Sequence, residues 1–273
     1  MRPVFFNSAT IDTPEWLILR GGSREKRRLK VRYGAFEHPT IGPVLIDTGY
    51  TGHALNAAGR SGPLRLYSAI LGPQLHEAGQ PDTALASIGL TTSDIQAVIV
   101  THFHADHISG LALFPSAQII GSRSALSHIK AASKIANIRH GVFPELIPAD
   151  ISRRILPVED RSICPAPPFS RAWDLFGDTS VLAVPLPGHA DGQFGLVFPD
   201  LTPPLLYAAD AQWLLDALPA GKRPGAPSRW IADEAGQIEP TIDLVASFRD
   251  AGGDVVLCHD DALSTYDAKR AAP

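Results

Sequence analysis

Short apolar runs, each ending at a polar cluster, alternate along the chain with stretches in which apolar residues recur every three to four positions. The short runs predict β-strands and the periodic stretches predict helices. The predicted strands are Trp16–Leu19, Val44–Ile46, Ala97–Val100, Gln118–Ile120, Val181–Pro185, Gly195–Phe198, Leu205–Ala208 and Val255–Cys258. The predicted helices are Thr83–Ile88, Ser124–Ile138 and Thr241–Ala251. Strands interleaved with helices indicate an α/β layered fold.

The chain shows no clear linker between domains. The proline-rich stretch Cys164–Pro168 and the segment Pro219–Pro227 predict loops, and both are short. No internal repeat or low-complexity tract interrupts the pattern. Residues 1–273 are therefore predicted to form a single domain, and a chain of this length can bury a sizeable core.

The composition is that of an ordinary globular enzyme, with 45% hydrophobic and 19% charged residues. The longest apolar runs, such as Val181–Leu186, fall far short of the ~20 residues that cross a bilayer, so no membrane partner is expected. The first eight residues lack the apolar core of a secretory signal. Two cysteines, Cys164 and Cys258, do not make a disulfide framework, and we expect a reduced cytoplasmic location.

A formal net charge of −4 argues against a general nucleic-acid binder, whose affinity comes from neutralising phosphates. One local basic cluster nevertheless lies between residues 20 and 32, where turn residues separate the predicted strand Trp16–Leu19 from Leu29–Tyr33. It is either a solvated hairpin or a patch for an anion or a partner. The cluster consists of Arg20, Arg24, Lys26, Arg27, Arg28, Lys30 and Arg32.

The most specific signal is the motif Thr101-His-Phe-His-Ala-Asp-His107, which begins where a buried-type strand ends. In extended backbone His102 and His104 point to the same side, and a following turn can bring Asp106 and His107 towards the same region. Imidazole and carboxylate together suit zinc or a similar divalent ion. Four such groups within six residues have too little reach to close one tetrahedral site, so two adjacent ions fit better.

Three further ligand-type residues also follow predicted strands, namely His189, Asp210 and His259. Loops at one rim of a sheet are where an α/β scaffold gathers a site. These residues are therefore the candidates to complete the two ion sites.

From Leu45-Ile-Asp-Thr-Gly49 to His259, the sequence resembles the metallo-β-lactamase superfamily of metallohydrolases. The His-x-His-x-Asp-His element is the specific part, and Pro-Gly-His189, Asp210 and His259 follow in the family's order. The resemblance implies an αββα sandwich of two mixed β-sheets flanked by helices. It also implies two Zn²⁺ ions, with Fe or Mn as alternatives. One ion would be held by His102, His104 and His189, the other by Asp106, His107 and His259, with Asp210 bridging them.

The resemblance implies a hydrolase in which a hydroxide bridging the two metal ions attacks the substrate. Asp106, bound through one oxygen, would pass a proton to the leaving group as the catalytic residue. Asp47, in the Asp-Thr-Gly turn, would orient a loop or a ligand histidine. The chain has no Gly-x-Ser-x-Gly element, so a serine-hydrolase mechanism has no support.

The implied substrate is a small-molecule ester or lactone. Asp210 stands where true β-lactamases of the family carry Cys, and it suits lactonases, thioester hydrolases of the glyoxalase II type and RNA-processing nucleases. The acidic net charge weakens the nuclease alternative. The turn ending at Tyr50, the stretch Ile88–His102 and the ending Cys258–Tyr266 look most like quorum-quenching and pyridoxolactone-type lactonases. Trp213 departs from acyl-homoserine lactonases, which carry a Tyr at that position.

Several alternatives remain open at this point: a glyoxalase II-like thioesterase, an iron-dependent redox relative of the same fold, and a metal-binding protein without catalysis. The segments Tyr50–Gln80 and Gly141–Arg171 form either a wall or lid over the metals, or plain core, or a dimer contact. A homodimer is compatible with each of these readings.

Overall fold

The computed structural model describes residues 1–55 and 60–269. The first sheet consists of β1 (Val4–Pro14), β2 (Lys26–His38), β3 (Gly42–Ile46), β4 (Gln74–Leu75), β5 (Ala97–Ile99), β6 (Gln118–Gly121) and β7 (Ile155–Pro157). Its spatial order is β4-β1-β2-β3-β5-β6-β7. The β4, β1, β2 and β3 strands pair antiparallel, whereas β3, β5, β6 and β7 run parallel. The carboxyl ends of β3 and β5 therefore open at the same edge, the usual place for a site in such sheets.

The second sheet consists of β8 (Ser162–Ala166), β9 (Phe169–Asp174), β10 (Leu182–Pro185), β11 (Phe194–Phe198), β12 (Leu205–Tyr207) and β13 (Asp254–Val256). Its spatial order is β13-β12-β11-β10-β9-β8. All neighbours pair antiparallel except β12 and β13, which are parallel. Both sheets are thus mixed.

Helices cover the outer face of each sheet. They are α1 (Glu15–Ile18), α2 (Gly52–Leu55), α3 (Gly62–Leu71), α4 (Pro81–Ala86), α5 (Ala105–Ile108), α6 (Arg123–Ala131), α7 (Lys134–Arg139), α8 (Ile151–Arg154), α9 (Ala226–Ile231) and α10 (Ile238–Asp250). Phe5, Ile99 and Phe194 belong to the apolar layer between the sheets. Leu64 and Leu126 of α3 and α6 pack on the first sheet. Helix α10 packs on the second through Ile242, Val245 and their neighbours. The predicted αββα sandwich of two mixed sheets flanked by helices is confirmed.

The strand predicted at Trp16–Leu19 is wrong, because Glu15–Ile18 form the single helical turn α1. The Leu19 N–H donates to the Glu15 carbonyl at 2.8 Å, and the Glu15 carboxylate accepts the Ser23 N–H at 2.8 Å. This turn and the loop after it connect β1 to β2. The basic segment therefore belongs to a longer hairpin than the sequence indicated.

The single helix predicted over Ser124–Ile138 is also wrong, because it breaks into α6 and α7. Ala132 is extended, and the Ser133 side chain accepts the Ala136 N–H and so caps a new helix. The loop predicted at Cys164–Pro168 is wrong in part, since β8 runs through Ala166. The loop predicted at Pro219–Pro227 ends at Gly225, because α9 begins at Ala226.

Most of the basic cluster is engaged in ion pairs. Arg27 contacts Asp216 and Asp261, and Arg28 contacts Asp12. These contacts favour a structural role over a free anion-binding patch. No helix among the described residues combines the length and the apolar character that a bilayer crossing requires.

Arg32 is 1% exposed and binds the segment that follows β13. Its Nε and Nη2 donate to the two carboxylate oxygens of Asp267 at 2.7 and 3.0 Å. Its Nη1 donates to the carbonyl oxygens of Leu257 and Asp260 at 3.1 and 2.6 Å. This one side chain therefore holds the segment around residue 259 against β2.

We predict that Arg32→Leu lowers the free energy of unfolding by about 3 kcal/mol or more, because it removes the buried guanidinium that binds the Asp267 carboxylate and the carbonyl oxygens of Leu257, Asp260 and Ala262. Arg24→Leu, at an exposed position of the same cluster, is the matched control and should change stability by less than about 0.5 kcal/mol. Urea unfolding of the metal-free protein measures both values. Equal midpoints for the two variants would contradict the role given to Arg32.

Candidate metal centre

The seven ligand-type residues singled out from the sequence all lie at the rim where strands of the two sheets end. Residues 101–107 follow β5 and enter α5, with His104 as the residue before the helix. His189 follows β10, Asp210 follows β12 and His259 follows β13. The five imidazoles are all buried, at 0–8% exposure. The structure therefore brings together every one of the residues that sequence reasoning selected.

One group consists of three imidazoles. His102, His104 and His189 each offer a ring nitrogen, and these atoms lie within 4.8 Å of one another. His104 Nδ1 and His189 Nε2 are 2.9 Å apart. The ring centroid of His102 lies 4.6 Å from that of His104 and 5.1 Å from that of His189. This group could hold one metal ion.

A second group consists of His107, Asp210 and His259, together with Cys258, again within 4.8 Å. Asp106 lies beside it, with Oδ2 3.3 Å from His259 Nε2 and 3.8 Å from His107 Nε2. Cys258 is fully buried, and its Sγ donates to the Arg32 carbonyl at 3.4 Å. Its position next to His259 was the only signal that placed this thiol near the site.

Asp210 lies between the two groups. Its Oδ2 is 3.3 Å from His189 Nε2 in the first group and 2.9 Å from His259 Nε2 in the second. Its Oδ1 is 3.3 Å from His107 Nε2. One carboxylate thus faces nitrogen atoms of both groups, as a ligand shared between two ions would.

Partners of the Nδ1 atom fix the orientation of two of the histidine rings, those of His107 and His259. His107 Nδ1 is 2.9 Å from Asp47 Oδ2, and His259 Nδ1 donates to the Lys30 carbonyl at 2.7 Å. These contacts leave the Nε2 atom of each ring directed into the site, the arrangement that is usual for histidines that bind metals. Asp47, expected to orient a loop or a histidine, makes the histidine contact.

Burial keeps the first group uncharged. Desolvation lowers the pKa of His104 to about 4 and of His189 to about 3, and it moves the pKa of His102 well below its usual value. All three rings are therefore neutral at pH 7. A neutral imidazole is the form that binds a metal.

The second group lies in a negative field. Burial opposes a charge on His107, but Asp47 and Asp210 outweigh it and raise its pKa well above the usual value. The pKa of His259 is raised in the same way, chiefly by Asp210 against burial. Burial by itself would raise the pKa of the Asp106 carboxyl, but His107 and His259 outweigh it and lower that pKa to about 2. This group is therefore arranged to accept positive charge.

The residues present fit a pair of divalent cations. His102 Nε2 is buried without a hydrogen-bond partner among the described residues, and His107 Nε2 and Asp210 Oδ1, 3.3 Å apart, are buried without forming a hydrogen bond. Unpaired buried polar atoms are costly, and a cation would satisfy them. Nitrogen and carboxylate donors suit zinc and other divalent transition metals.

The fold and this rim together define a class, an αββα protein with a metal-capable centre at its strand ends. Residues 41–230, well over half of the chain, match the sequence profile of the Metallo-beta-lactamase superfamily. The chain belongs to the metallo-β-lactamase superfamily.

Individual relatives agree with this family. A probable metallo-hydrolase of Mycobacterium tuberculosis is 29% identical over 160 residues, 55% of this chain and 47% of that protein. The chain thus spans about half the length of the first curated relatives that it matches. The N-acyl homoserine lactonase AttM of Azorhizobium caulinodans is 26% identical over 190 residues, 66% of this chain and 64% of that protein.

The fold also matches a solved structure. A crystal structure of Bacillus thuringiensis AiiA, with N-decanoyl-L-homoserine bound at its active site, superposes with a TM-score of 0.69. The alignment covers 95% of this chain and 93% of that chain at 17% identity. This similarity shows a shared fold.

We predict that Asp47→Asn weakens zinc binding by about 10–100-fold, because the His107 ring loses the carboxylate that orients it. Asparagine tolerates the positive φ of 56° at this position, so the backbone is not strained by the change. Competition against a chromophoric chelator measures the zinc affinity. The matched control is Asp12→Asn, near the end of β1, where the carboxylate contacts Arg28. Equal affinity for both variants and the wild type would show that Asp47 does not orient a ligand.

Proposed function

We propose that the chain is a metal-dependent hydrolase with a dinuclear zinc centre that opens a lactone or cleaves a carboxylic ester. In this proposal His102, His104 and His189 hold one ion, and Asp106, His107 and His259 hold the other. Asp210 bridges them. The observation that carries the proposal is the position of the Asp210 carboxylate, which faces nitrogen atoms of both groups within 3.3 Å.

Two zinc ions held there would supply a nucleophile from water at neutral pH and Lewis acidity for the substrate carbonyl. The chain's own residues supply position and proton transfer. The five imidazoles are fixed by burial and by partners such as Asp47, so their geometry is preorganised for the ions. The same surroundings keep His102, His104 and His189 neutral and favour a positive charge beside His107 and His259.

Asp106 is the proposed proton carrier. Its side chain is 13% exposed, against 8% or less for the other two ligands of its proposed ion, His107 and His259. One carboxylate oxygen lies 3.3 Å from His259 Nε2, and in this proposal the other oxygen faces the substrate. There it can take up a proton and deliver it to the departing oxygen, as a general acid does.

The substrate class is supported by relatives and by the mouth of the site. AttM is a homoserine lactonase, and the AiiA structure carries an acyl homoserine. The lining of a small pocket beside Asp210 includes the apolar side chains of Ile18, Trp213 and Ile238, which offer contacts to an apolar part of a substrate. The Trp213 ring lies 6.1 Å from the His189 ring and 5.7 Å from the His259 ring. Its indole donates a hydrogen bond but does not ionise.

We predict that zinc-loaded protein hydrolyses short- or long-chain lactones, or aryl esters, in a pH-indicator assay. Asp106→Asn should lower kcat by about 10²–10⁴-fold through loss of the proton carrier. His189→Ala should lower both activity and zinc content, because it removes a ligand. Asp178→Asn, at a partly exposed carboxylate beside His38, is the matched control and should keep full activity.

The same assay separates the alternatives. S-lactoylglutathione tests for a thioesterase, and iron-loaded protein with oxygen-uptake detection tests for redox chemistry. Protein that binds two zinc ions yet turns over none of the lactones or esters would refute the proposed substrate class.

A further inference from the structure

A tyrosine from outside the metal-binding motif lies at the edge of the site. Tyr67 belongs to α3, whose inner face carries the buried Leu64 and Ser68 and whose outer face carries Leu66 and Ile70, 62% and 75% exposed. Tyr67 falls between these faces and is half-buried. A side chain at such a boundary can be packed along its ring and still present its hydroxyl to a cleft.

The Tyr67 hydroxyl and one ring of the metal-capable cluster lie next to the same glycine, Gly141. A side-chain carbon built on Gly141 would lie 3.3 Å from Tyr67 Oη and 3.6 Å from the His104 ring atom Cδ2. The hydroxyl and the imidazole therefore both border the open face of that glycine. Burial and then the negative charge of Asp106 raise the pKa of Tyr67, so the phenol keeps its proton and can donate it in a hydrogen bond.

Contacts on both sides hold the phenol in place. The Tyr67 ring packs against Phe143, with centroids 5.0 Å apart. The hydroxyl of the next residue of α3, Ser68, is 2.9 Å from Tyr50 Oη. The Ser61 hydroxyl, at the start of the helix, donates to Glu145 at 2.9 Å. The helix is thus attached to the turn after β3 and to the segment around residue 145.

Tyr67 Oη has no hydrogen-bond partner among residues 1–55 and 60–269. Buried or half-buried tyrosine hydroxyls usually find one, so a donor held rigidly beside a metal-capable cluster calls for a ligand oxygen. Across the site, Trp213 occupies the position at which acyl-homoserine lactonases are expected to carry a phenol. The cluster therefore has a phenol on the α3 side and an indole on the β12 side.

We propose that Tyr67 Oη donates a hydrogen bond to the acyl oxygen of the substrate, supplying from α3 the phenol that position 213 lacks. This inference rests on the proposed function, because it places an ester or lactone carbonyl at the metal centre. Tyr67 would then contribute to stabilising the charge that develops on that oxygen, as an oxyanion-hole donor does.

The test is Tyr67→Phe, which removes the hydroxyl and keeps the ring that packs on Phe143. On the best lactone or aryl ester found for the wild type, we expect kcat to fall by about 10²-fold while KM changes by less than about threefold. Tyr266→Phe is the matched control, since its hydroxyl donates to Asp254 away from the site, and it should leave kcat unchanged. Zinc content and melting temperature are measured for each protein.

A binding readout without turnover accompanies the kinetics. Phenylboronic acid, which forms a tetrahedral anion, is titrated calorimetrically into the zinc-loaded proteins, and we expect about tenfold weaker binding to Tyr67→Phe. Unchanged kcat and unchanged boronate binding would overturn the proposal, as would a loss of zinc or of melting temperature in Tyr67→Phe, which would make the residue structural. A wild type that hydrolyses nothing, but whose boronate binding needs Tyr67, would refute the proposed function while leaving the donor assignment standing.

Discussion

The Asp47 carboxylate is the interaction on which the arrangement of both sheets and of the site depends. It is fully buried at the end of β3 and accepts the backbone N–H of Thr101 at 2.8 Å, which fixes the end of β5. It also accepts the hydroxyl of Tyr207, on β12 of the second sheet, at 3.2 Å, and it contacts His107 Nδ1. One charged group, which would be costly to bury alone, is therefore satisfied by partners from both layers. The strand ends meet at one rim because residues from both sheets contact the same Asp47 carboxylate.

The second constraint is the concentration of imidazoles and carboxylates at that rim. Three rings lose their charge to burial, while His107 and His259 are drawn towards a positive charge by Asp210 and its neighbours. Several of their atoms have no hydrogen-bond partner among the described residues. A packed interior seldom leaves such atoms unpaired without a reason, and divalent cations satisfy both the lone pairs and the negative field. In the proposed centre, the same groups that would be unfavourable without metal would be the ligands.

The part of the site that could be predicted from the sequence is the part encoded by local pattern and chain order. His102 to His107 directly follow a buried-type strand, and His189, Asp210 and His259 each follow another, so the convergence of strand ends placed them together. Strand β1 was not predicted, because Ser8 and Thr10 break its apolar pattern. Inside the fold the Ser8 hydroxyl donates to the Val31 carbonyl and accepts the Tyr50 N–H, so this hydroxyl is satisfied in a buried strand.

Other differences have equally local causes. The apolar stripe over Ser124–Ile138 continues through the break between α6 and α7, so periodicity could not detect the cap made by Ser133. Of the two segments considered as a lid or wall, Tyr50–Gln80 contains α3, which lies beside the site. Phe169 of Gly141–Arg171 instead packs in the cluster between the second sheet and α10. The position of Tyr67 depends on how α3 packs against residues 141–145. That contact joins segments far apart in the chain and leaves no signal in either of them.

The central claim, a dinuclear centre bridged by Asp210, is tested most directly by anomalous diffraction at the zinc edge from crystals of the zinc-loaded protein. We expect two anomalous peaks, one among His102, His104 and His189 and one among Asp106, His107 and His259, with the Asp210 carboxylate between them. A single peak, or two peaks that Asp210 does not join, would contradict this account of the site.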